Sequence, residues 1–457
     1  MSLEIETVVD VIPLVDEGLG NSAYLVDLGD GSALTVDPER DPRPYAAAAE
    51  RRGLVPRIVV ETHLHADFVS GGRELAATGA RLVAPAAAEV AYGHEAVRDG
   101  DELDLGGLRL RAIATPGHTP EHLAYLLVDD GRPVALFSGG TLMAGGVART
   151  DLLSPDLTEP LARQAYHSVR ERLFTLPDDL PVYPTHGAGS FCAASPGGER
   201  VTTIGREKSA SPLWADDPDE DTFAARLLGG YGSFPPYFLE LRGVNRAGPA
   251  VYGSAPPLQP LAPAEVEAAV DDGAELVDAR SIEAFAAGHV PGSLSIPWRP
   301  QFATWLGWLV GRDRPVVFVA DDATDRADLV WSCLTVGFER IAGELAGGVD
   351  AWAATGRRLE TTPLVNAEDA GQRQVVDVRQ ESEYDAGHVA GAVHRELGSL
   401  ADDASLGGDP LLVHCGSGQR AMSAASVLER AGRREVAVFA GGPDDLAEAG
   451  YPLEDRR

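Results

Sequence analysis

Hydrophobic positions in the first part of the chain recur in short runs that turns separate. Residues 21–27 alternate as a strand does, and Asp30-Gly31 is a strong hairpin signal before a returning strand at 33–37. A predicted helix at 44–52 precedes a β-branched run at 58–60, which predicts a further strand. Because strands and helices keep alternating up to residue 186, this region is predicted to form two β-sheets with helices on their outer faces.

The pattern changes after residue 213. Residues 213–252 contain an acidic patch at 216–221 and a predicted helix at 221–228. Residues 254–263 are rich in proline and small side chains, which is typical of a linker. We therefore predict that the first domain covers residues 1–255.

The rest of the chain contains an internal repeat. Residues 276–280 (Leu-Val-Asp-Ala-Arg) reappear at 375–379 (Val-Val-Asp-Val-Arg), and Ala-Gly-His-Val at 287–290 reappears at 386–389, each with an offset of 99 residues. Each unit alternates strands with helices, which predicts a parallel sheet covered on both sides. The two predicted α/β domains cover residues 256–360 and 361–457.

Charge and cysteine content narrow the function classes. The chain has 457 residues and a formal net charge of -32, which argues against nucleic acid or an anionic membrane as a partner. Its three cysteines predict free thiols in a reducing compartment. No secretion signal or long apolar run is evident, so we expect a cytoplasmic protein with a small-molecule partner, its oligomeric state left open between monomer and homo-oligomer.

Histidines follow several of the predicted strands. The segment Thr62-His63-Leu64-His65-Ala66-Asp67-Phe68 starts where the strand at 58–60 ends, and His118 and His186 occur in later strand-to-loop junctions. Side chains at the carboxyl ends of strands point into a shared cleft. Two imidazoles and a carboxylate at alternate positions can therefore converge on one ion or substrate. His63, His65 and Asp67, with His118 and His186, are candidate metal ligands.

A cysteine loop near the end of the chain carries a second candidate chemistry. Cys415-Gly416-Ser417-Gly418-Gln419-Arg420 lies between an apolar strand and a predicted helix. Backbone N–H groups and the helix N-terminus favour a thiolate there, and Arg420 adds a positive charge, as a cysteine persulfide requires. Cys415 and Arg420 are therefore candidate catalytic residues, with Gly416, Ser417, Gly418 and Gln419 as the substrate cradle. The loop is one residue shorter than that of cysteine phosphatases, which favours sulfur transfer.

The first repeat lacks this nucleophile. Asp321 stands where Cys415 stands, and Arg326 keeps the place of Arg420. An aspartate cannot carry a persulfide, so this domain is predicted to be non-catalytic. Cys333 lies in an apolar helical context and is predicted to be a core residue.

These motifs together resemble a known arrangement. The His-x-His-x-Asp loop, the Pro-Gly-His at 116–118 and the Thr-His-Gly at 185–187 resemble the metallo-β-lactamase superfamily. The paired Asp-x-Arg and Gly-His-x-x-Gly motifs resemble rhodanese. The combination is similar to fused metallo-β-lactamase–rhodanese proteins, several of which are persulfide dioxygenase–sulfurtransferases. The resemblance implies an αββα sandwich followed by two rhodanese-like α/β domains.

The resemblance also implies a metal site from which this chain departs. Persulfide dioxygenases hold iron with two histidines, here His63 and His118, and with an aspartate at the position of Gly140. Phe68 stands where the superfamily usually has another histidine. Three interpretations stay open: zinc on His63, His65 and His118; iron with Asp67 as the carboxylate; or no metal.

Two further residues are candidates near this site. Cys192 follows the His186 loop and is predicted to take part in persulfide transfer or, equally, to be a structural thiol. Arg149 is predicted to bind a substrate carboxylate, with a plain ion pair as the alternative. The leading function is an enzyme of low-molecular-weight persulfides that transfers sulfane sulfur through Cys415. A zinc-dependent thioester hydrolase and a metal-free persulfide-binding scaffold are the rivals.

Overall fold

The fold is described from a computed structural model. It describes residues 9–193, 199–369, 371, 373–400, 406, 408 and 410–454. The chain divides into two compact units, residues 1–255 with the short segment 334–337, and the remainder.

The first unit contains two six-stranded sheets. The first sheet has three antiparallel strands followed by parallel ones, in the order Val11–Asp16, Asn21–Asp27, Ser32–Val36, Val55–Val60, Arg81–Pro85 and Glu95–Val97. The second sheet is antiparallel except for one parallel pair, in the order Thr202–Thr203, Pro181–Pro184, Arg132–Gly139, Leu123–Asp129, Leu108–Ala114 and Glu102–Asp104.

Helices cover the outer face of each sheet. The helices of this unit are Arg43–Glu50, Gly72–Ala77, Pro155–His167, Ile204–Ala210, Glu220–Gly229 and Phe238–Ala247, with short turns of other helical types at Ala86–Ala88, Ser168–Leu173 and Pro212–Trp214. The main core lies between the sheets, where Tyr24 and Val36 of one meet Tyr125 and Phe137 of the other. Separate clusters pack each helix layer on its sheet. These four layers confirm the predicted αββα sandwich.

The second unit contains two parallel five-stranded sheets with the same strand order. The first runs Pro260–Leu261, Ile341–Leu345, Val316–Val319, Glu275–Asp278 and Leu294–Ser295. The second runs Leu364–Val365, Val436–Phe439, Leu411–His414, Gln374–Asp377 and Val393–His394. The shared order shows that the sequence repeat is a repeat of the fold.

Helices flank both of these sheets. They are Pro263–Asp271, Ile282–Ala287, Phe302–Leu309, Arg326–Thr335 and Gly348–Ala354 in the first repeat, and Glu381–Asp385, Leu397–Leu400, Gln419–Arg430 and Pro443–Glu448 in the second. A short turn of 3-10 helix, Ala367–Asp369, and a two-stranded pair, His388–Val389 with Leu453–Glu454, complete the second repeat. Among the described residues, no helix combines the length and apolar character needed to cross a bilayer.

Candidate functional site

The histidine loop starts at the carboxyl end of the strand Val55–Val60 and is almost completely buried. His63 is 2% exposed, His65 is 0% exposed and Asp67 is 1% exposed. Asp37, at the end of the neighbouring strand, accepts hydrogen bonds of 2.7 Å from both the backbone N–H and the hydroxyl of Thr62. The loop is therefore fixed from its first residue by a carboxylate of the adjacent strand.

His63 and His186 face each other through their Nε2 atoms, which lie 3.4 Å apart. The Nδ1–H of His186 donates to Oδ1 of Asn21 at 3.0 Å, so its Nε2 carries a lone pair. Two nitrogens that are each about 2.0–2.1 Å from a tetrahedral zinc ion lie roughly 3.3–3.4 Å apart. The separation therefore fits two ligands of one ion.

His118 presents a second free nitrogen nearby. Its Nδ1–H donates to the carbonyl oxygen of Arg149 at 2.6 Å. Within the described part of the chain, its buried Nε2 has no hydrogen-bond partner. Burial, with the neighbouring His186, lowers the pKa of His118 to about 3, so the ring is neutral and its Nε2 is able to bind a cation.

His65 is held from behind by two carboxylates. Its Nε2 lies 3.3 Å from Asp37 and 3.2 Å from Glu61, while its buried Nδ1 has no partner among the described residues. Burial disfavours the imidazolium, but the carboxylates of Asp37 and Glu61 raise the pKa of His65 to about 10. A carboxylate behind a histidine is the usual second-sphere support of a metal ligand, which leaves Nδ1 as the binding atom. Phe68 stacks on the ring with centroids 4.1 Å apart.

Asp67 adds a negative charge to the same cluster. Its Oδ2 accepts a 2.9 Å hydrogen bond from Nδ2 of Asn21, and its buried Oδ1 has no partner among the described residues. Burial opposes ionisation, but His186 and the hydrogen bonds hold the pKa of Asp67 below its ordinary value. The carboxylate is therefore ionised with one oxygen free.

Among the described residues, three groups of these side chains could hold an ion. The groups are His63, His65 and His186; His118, His186 and Cys192; and Asp37, Glu61 and His65, with ligand atoms within 4.8 Å of one another in each. The predicted combination of His63, His65 and His118 is not one of these groups. His118 stays beside the cluster, with its ring centroid 4.8 Å from that of His63 and 5.2 Å from that of His186, and the choice of ligands stays a prediction.

Gly140 leaves no room for the missing carboxylate. A Cβ at this position would lie 2.7 Å from Cδ2 of His118 and 3.0 Å from the Cβ of Ala148. The backbone N–H of Gly140 donates to Nε2 of His122 at 3.0 Å, which fixes the turn. The space that an aspartate would need is therefore filled by the His118 ring.

Cys192 lies beside the cluster, as its place after the His186 loop predicted. Its side chain is fully buried, and its carbonyl accepts a 2.9 Å hydrogen bond from the N–H of Arg149. Burial and the Asp67 carboxylate raise the pKa of Cys192 well above its ordinary value, so the group is a thiol. Its role in persulfide transfer stays a prediction.

Arg149 is bound to protein groups on several sides. Its guanidinium contacts Asp151 at 2.7 and 2.8 Å and donates to the carbonyl oxygens of Phe191 and Gly232 at 3.1 and 2.9 Å. Only 4% of its side chain is exposed. The ion pair of the alternative interpretation is therefore present, between Arg149 and Asp151, and it is buried. The predicted contact of Arg149 with a substrate carboxylate stays a prediction, and these protein contacts do not favour it.

The cysteine loop lies in the second unit, between the strand Leu411–His414 and the helix Gln419–Arg430. The N–H of Ser417 points at Sγ of Cys415 from 3.5 Å, and Gly418 adopts a left-handed φ of 80° that turns the chain into the helix. Gly416 and Ser417 are exposed, whereas Cys415 is only 1% exposed. The backbone of the loop is therefore exposed, as expected, whereas the sulfur of Cys415 is almost completely buried.

Arg420 lies on the first turn of this helix and forms a bidentate ion pair. Its two terminal nitrogens are 2.6 and 2.8 Å from the carboxylate oxygens of Glu383. Burial disfavours the cation, but Glu383 and Cys415 raise the pKa of Arg420. The positive charge predicted beside the thiol is present, and Glu383 neutralises much of it.

Two sequence patterns cover most of the chain. That of the Metallo-beta-lactamase superfamily matches residues 15–186, and that of the Rhodanese-like domain matches residues 262–355 and 361–449. A hydroxyacylglutathione hydrolase of Methylococcus capsulatus is 34% identical over 216 residues, which are 44% of this chain and 78% of that protein. This chain belongs to the metallo-beta-lactamase superfamily and carries two rhodanese-like domains.

Other similar proteins extend this result. The mitochondrial persulfide dioxygenase ETHE1 of Bos taurus is 30% identical over 200 residues, 41% of this chain and 70% of that protein. The solved structure of a metallo-beta-lactamase from Staphylococcus aureus subsp. aureus COL has a TM-score of 0.65 and 28% identity, and covers 74% of this chain and 99% of its own. Three further relatives are matched over only 58% to 65% of their length.

The first rhodanese-like domain has a different loop at the corresponding place. Arg326 donates to the carbonyl oxygens of Asp321 and Thr324 at 2.5 and 2.7 Å and pairs with Glu344 at 2.8 Å. The sheets pair Asp278 with Val319 in the first domain and Asp377 with His414 in the second, so Ala320 corresponds to Cys415. The predicted correspondence of Asp321 was wrong by one residue, because the two loops differ in length, but the position still lacks a cysteine. Cys333 is fully buried, and burial raises its pKa, in agreement with a core residue.

The metallo-beta-lactamase domain also contains a supporting residue that sequence reasoning missed. Asn245, on the helix Phe238–Ala247, donates to the carbonyl oxygens of His65 and Phe68 at 2.8 and 2.9 Å and accepts from the N–H of Ser70 at 2.9 Å. A single asparagine of a helix 175 residues beyond Ser70 thus holds the histidine loop. In the sequence, Asn245 was visible only as one polar residue within the segment 213–252.

Proposed function

We propose that this chain is a sulfurtransferase that carries sulfane sulfur on Cys415. The observation that supports it most is the position of Sγ, 3.5 Å from the N–H of Ser417 at the start of the helix Gln419–Arg430, with Arg420 on the first turn. Amide groups and a helix N-terminus stabilise an anion, and a sulfur carrier is anionic both before and after loading. The match of residues 361–449 to the Rhodanese-like domain agrees with this chemistry.

The transfer step needs only the thiolate and the donor. The thiolate of Cys415 attacks the terminal sulfur of a persulfide, the donor's sulfur–sulfur bond breaks, and the donor thiolate leaves with the electron pair. With thiosulfate the leaving group is sulfite. The charge moves to the outer sulfur of the new cysteine persulfide, where the N–H of Ser417 and Arg420 are placed to stabilise it. An acceptor thiolate then removes that sulfur by the same displacement.

For the metallo-beta-lactamase domain we propose a metal site. The unpartnered buried atoms are Nδ1 of His65, Nε2 of His118 and Oδ1 of Asp67, which are the donors that an ion would satisfy. His63 and His186 complete the set. Bound zinc or iron would polarise a thiol-derived substrate or activate a small ligand there. The protein supplies preoriented imidazoles and a fixed carboxylate.

We further propose that this domain acts on the same small persulfides and oxidises them. Its similarity to the persulfide dioxygenase of Bos taurus supports the substrate class. With its free Oδ1, Asp67 would provide the carboxylate ligand that is missing at the position of Gly140. The net charge of -32 supports a small-molecule partner over nucleic acid, and a cytoplasmic location and a homo-oligomer stay predictions.

A zinc-dependent thioester hydrolase is the second candidate for this domain. It is supported by the group of three imidazoles, His63, His65 and His186, and by the similarity to a hydroxyacylglutathione hydrolase. Three histidines with one open position are an established catalytic zinc geometry.

Metal analysis of protein purified without added metal separates these alternatives. Stoichiometric iron with oxygen uptake on addition of glutathione persulfide would support oxidation, and zinc with thioester turnover would support hydrolysis. Protein that binds neither metal would contradict the proposed metal site. Sulfur transfer from thiosulfate or glutathione persulfide is measured on the same sample, and its absence would contradict the role of Cys415.

A further inference from the structure

We propose that zinc in the metallo-beta-lactamase domain is bound by His118, His186 and the thiolate of Cys192. The inference rests on the proposed metal site and specifies its zinc alternative. The thiolate takes the part of the anionic ligand that is missing at the position of Gly140. The sulfur of Cys192 then belongs to the metal centre and is not available as a carrier of persulfide sulfur.

The three donor atoms lie close together in the interior. One nitrogen of His118, one nitrogen of His186 and Sγ of Cys192 are all within 4.8 Å of one another. The three residues are 1%, 0% and 0% exposed. With bonds of about 2.0–2.1 Å to nitrogen and about 2.3 Å to sulfur, the donor atoms of a tetrahedral zinc site lie roughly 3.3–3.6 Å apart. Binding therefore requires the donors to close by roughly 1.5 Å at most, which rotations of the side chains provide.

Both histidines are already oriented as metal ligands. The Nδ1–H of His118 donates to the carbonyl oxygen of Arg149 at 2.6 Å. The Nδ1–H of His186 donates to Oδ1 of Asn21 at 3.0 Å, with Oδ2 of Asp67 3.3 Å away. Such outer partners are usual for ligating imidazoles, and they leave a lone pair on each Nε2. The Nε2 of His118 is buried without a hydrogen-bond partner in the described part of the chain, and a bound ion would satisfy it.

The peptide group of Arg149 connects the cysteine to the first of these histidines. Its N–H donates to the carbonyl oxygen of Cys192 at 2.9 Å, on the amino side of the same residue whose carbonyl accepts from the ring of His118. The N–H of Cys192 is also held, by the hydroxyl of Ser190 at 3.2 Å. The backbone that carries Sγ is therefore fixed relative to the imidazole with which it would share the ion.

Cys192 supplies negative charge, which a buried dication requires. Among the described residues, two of the three possible groups share His186, and the other of these two consists of the neutral donors His63, His65 and His186. The group with Cys192 contains a donor that becomes anionic on binding. Its S–H bond breaks, the proton passes to solvent, and the electron pair of the sulfur forms the bond to the ion. A soft thiolate with two imidazoles is a donor set that suits zinc.

Asp67 has a different position in this arrangement. Its Oδ2 lies behind His186, where a carboxylate supports a ligating imidazole from the outer sphere. The iron alternative instead uses Oδ1 of Asp67 as a ligand. The two alternatives therefore predict different donor atoms, sulfur for zinc and oxygen for iron, and spectroscopy distinguishes them.

Cobalt(II) is the probe, because it occupies zinc sites of nitrogen and sulfur donors and reports its ligands by absorption. The full chain is freed of metal with a chelator and loaded with one equivalent of cobalt(II). The wild type should show a strong sulfur-to-cobalt charge-transfer band in the near ultraviolet, and C192S should lose the band with cobalt still bound. C333S and C415S remove the other two thiols of the chain, and both should keep it.

Zinc affinity gives the second readout. C192S should weaken zinc binding by more than about a hundred-fold, because a ligand is lost. D67N should weaken it by about ten-fold and keep the cobalt band, as the loss of an outer-sphere partner does. A cobalt band that D67N abolishes and C192S retains would overturn the inference.

X-ray absorption spectroscopy of the zinc-loaded wild type and C415S proteins covers the case in which C192S does not fold. Both should show a sulfur neighbour at about 2.3 Å from zinc beside nitrogen neighbours at about 2.0–2.1 Å. A shell of nitrogen and oxygen alone would overturn the inference.

The possible failures are distinguishable. Bound cobalt or zinc without a sulfur ligand overturns the role of Cys192 and leaves the proposed metal site intact. Protein that binds no metal contradicts both. A sulfur-ligated ion in a protein that turns over neither thioesters nor persulfides supports the inference and contradicts the proposed activity of the domain alone.

Discussion

The two rhodanese-like domains share their framework and differ in their loops. Arg280 contacts Asp278 at 2.9 Å and the carbonyl oxygen of Gly288 at 2.9 Å, and Arg379 contacts Asp377 at 2.9 Å and Gly387 at 2.7 Å. The next paired motif also matches. The Phe285 and His289 rings stack at 3.8 Å, and the Tyr384 and His388 rings at 3.7 Å.

The loops that follow the central strands have diverged. By the strand register, the first domain has Val319 and Ala320 where the second has His414 and Cys415. Nε2 of His414 is 3.5 Å from Asp377. Burial opposes ionisation of this aspartate, but Arg379 and His414 hold its pKa below the ordinary value, whereas at Asp278 burial outweighs the contact with Arg280 and raises the pKa. The comparison indicates that the repeated motifs encode the fold, and under the proposed function the loop encodes the chemistry.

Removing the nucleophile should have the largest effect. Cys415→Ser should reduce sulfur transfer from thiosulfate by at least about a thousand-fold, because the covalent route is lost. Cys333→Ser is the matched control, since that thiol is buried in the first domain, and it should keep the activity. Comparable turnover by C415S and the wild type would contradict the role of Cys415 as the nucleophile, and with it the proposed difference between the two domains.

Breaking the shared framework should destabilise both domains alike. Arg280→Met and Arg379→Met each leave a buried aspartate without its partner, which costs about 3–5 kcal/mol of unfolding free energy. Urea unfolding followed by circular dichroism measures it. A large loss for R379M with none for R280M would contradict an equal structural role of this motif in the two domains.

The contact between the domains should give a pH dependence. Glu429 of the second domain accepts from Thr362 at 2.7 Å and lies 3.5 Å from His289 of the first. Burial, with Glu360 nearby, raises its pKa from 4.5 to about 7. Because the folded state binds the proton more tightly, the contribution to stability is complete below pH 4.5 and is lost as the pH rises through 7.

Glu429→Gln should therefore raise the melting temperature at pH 8 by a few degrees, about 2–4 °C, and have no effect at pH 5. The exposed Glu435→Gln is the matched control and should change neither value. A destabilised E429Q at pH 8 would mean that the ionised carboxylate stabilises this contact, which would contradict a raised pKa.

Restoring the cysteine in the first loop should have the smallest effect. Ala320→Cys, at the position that corresponds to Cys415, in a Cys415→Ser background should keep activity below about one hundredth of the wild type. Arg326 is occupied by carbonyl oxygens and Glu344, and Asp322 and Asp350 line the same cavity of about 830 Å³, so a persulfide anion is disfavoured. Substantial activity of the double variant would show that one residue separates the domains.

Much of the fold followed from local patterns. The 99-residue offset predicted two equal sheets, and the run before His63 placed the histidine loop at a strand end, because period and turn signals are encoded within a few residues. Domain boundaries at 255 and 360 stay predictions, although the first unit ends at residue 255.

The details of the sites depend on packing that no local pattern encodes. The His118 ring fills the space that a side chain at position 140 would need, which the sequence does not reveal. Asn245 reaches the histidine loop from a helix distant in sequence. The cysteine loop likewise packs against Ile282, 133 residues before Cys415.

The most direct test of the central claim is mass spectrometry of the protein after brief exposure to thiosulfate or glutathione persulfide. The account predicts a gain of one sulfur atom on the peptide that contains Cys415, absent from C415S and reversed by an acceptor thiol. A sulfur atom found only on other peptides, or on none, would contradict it.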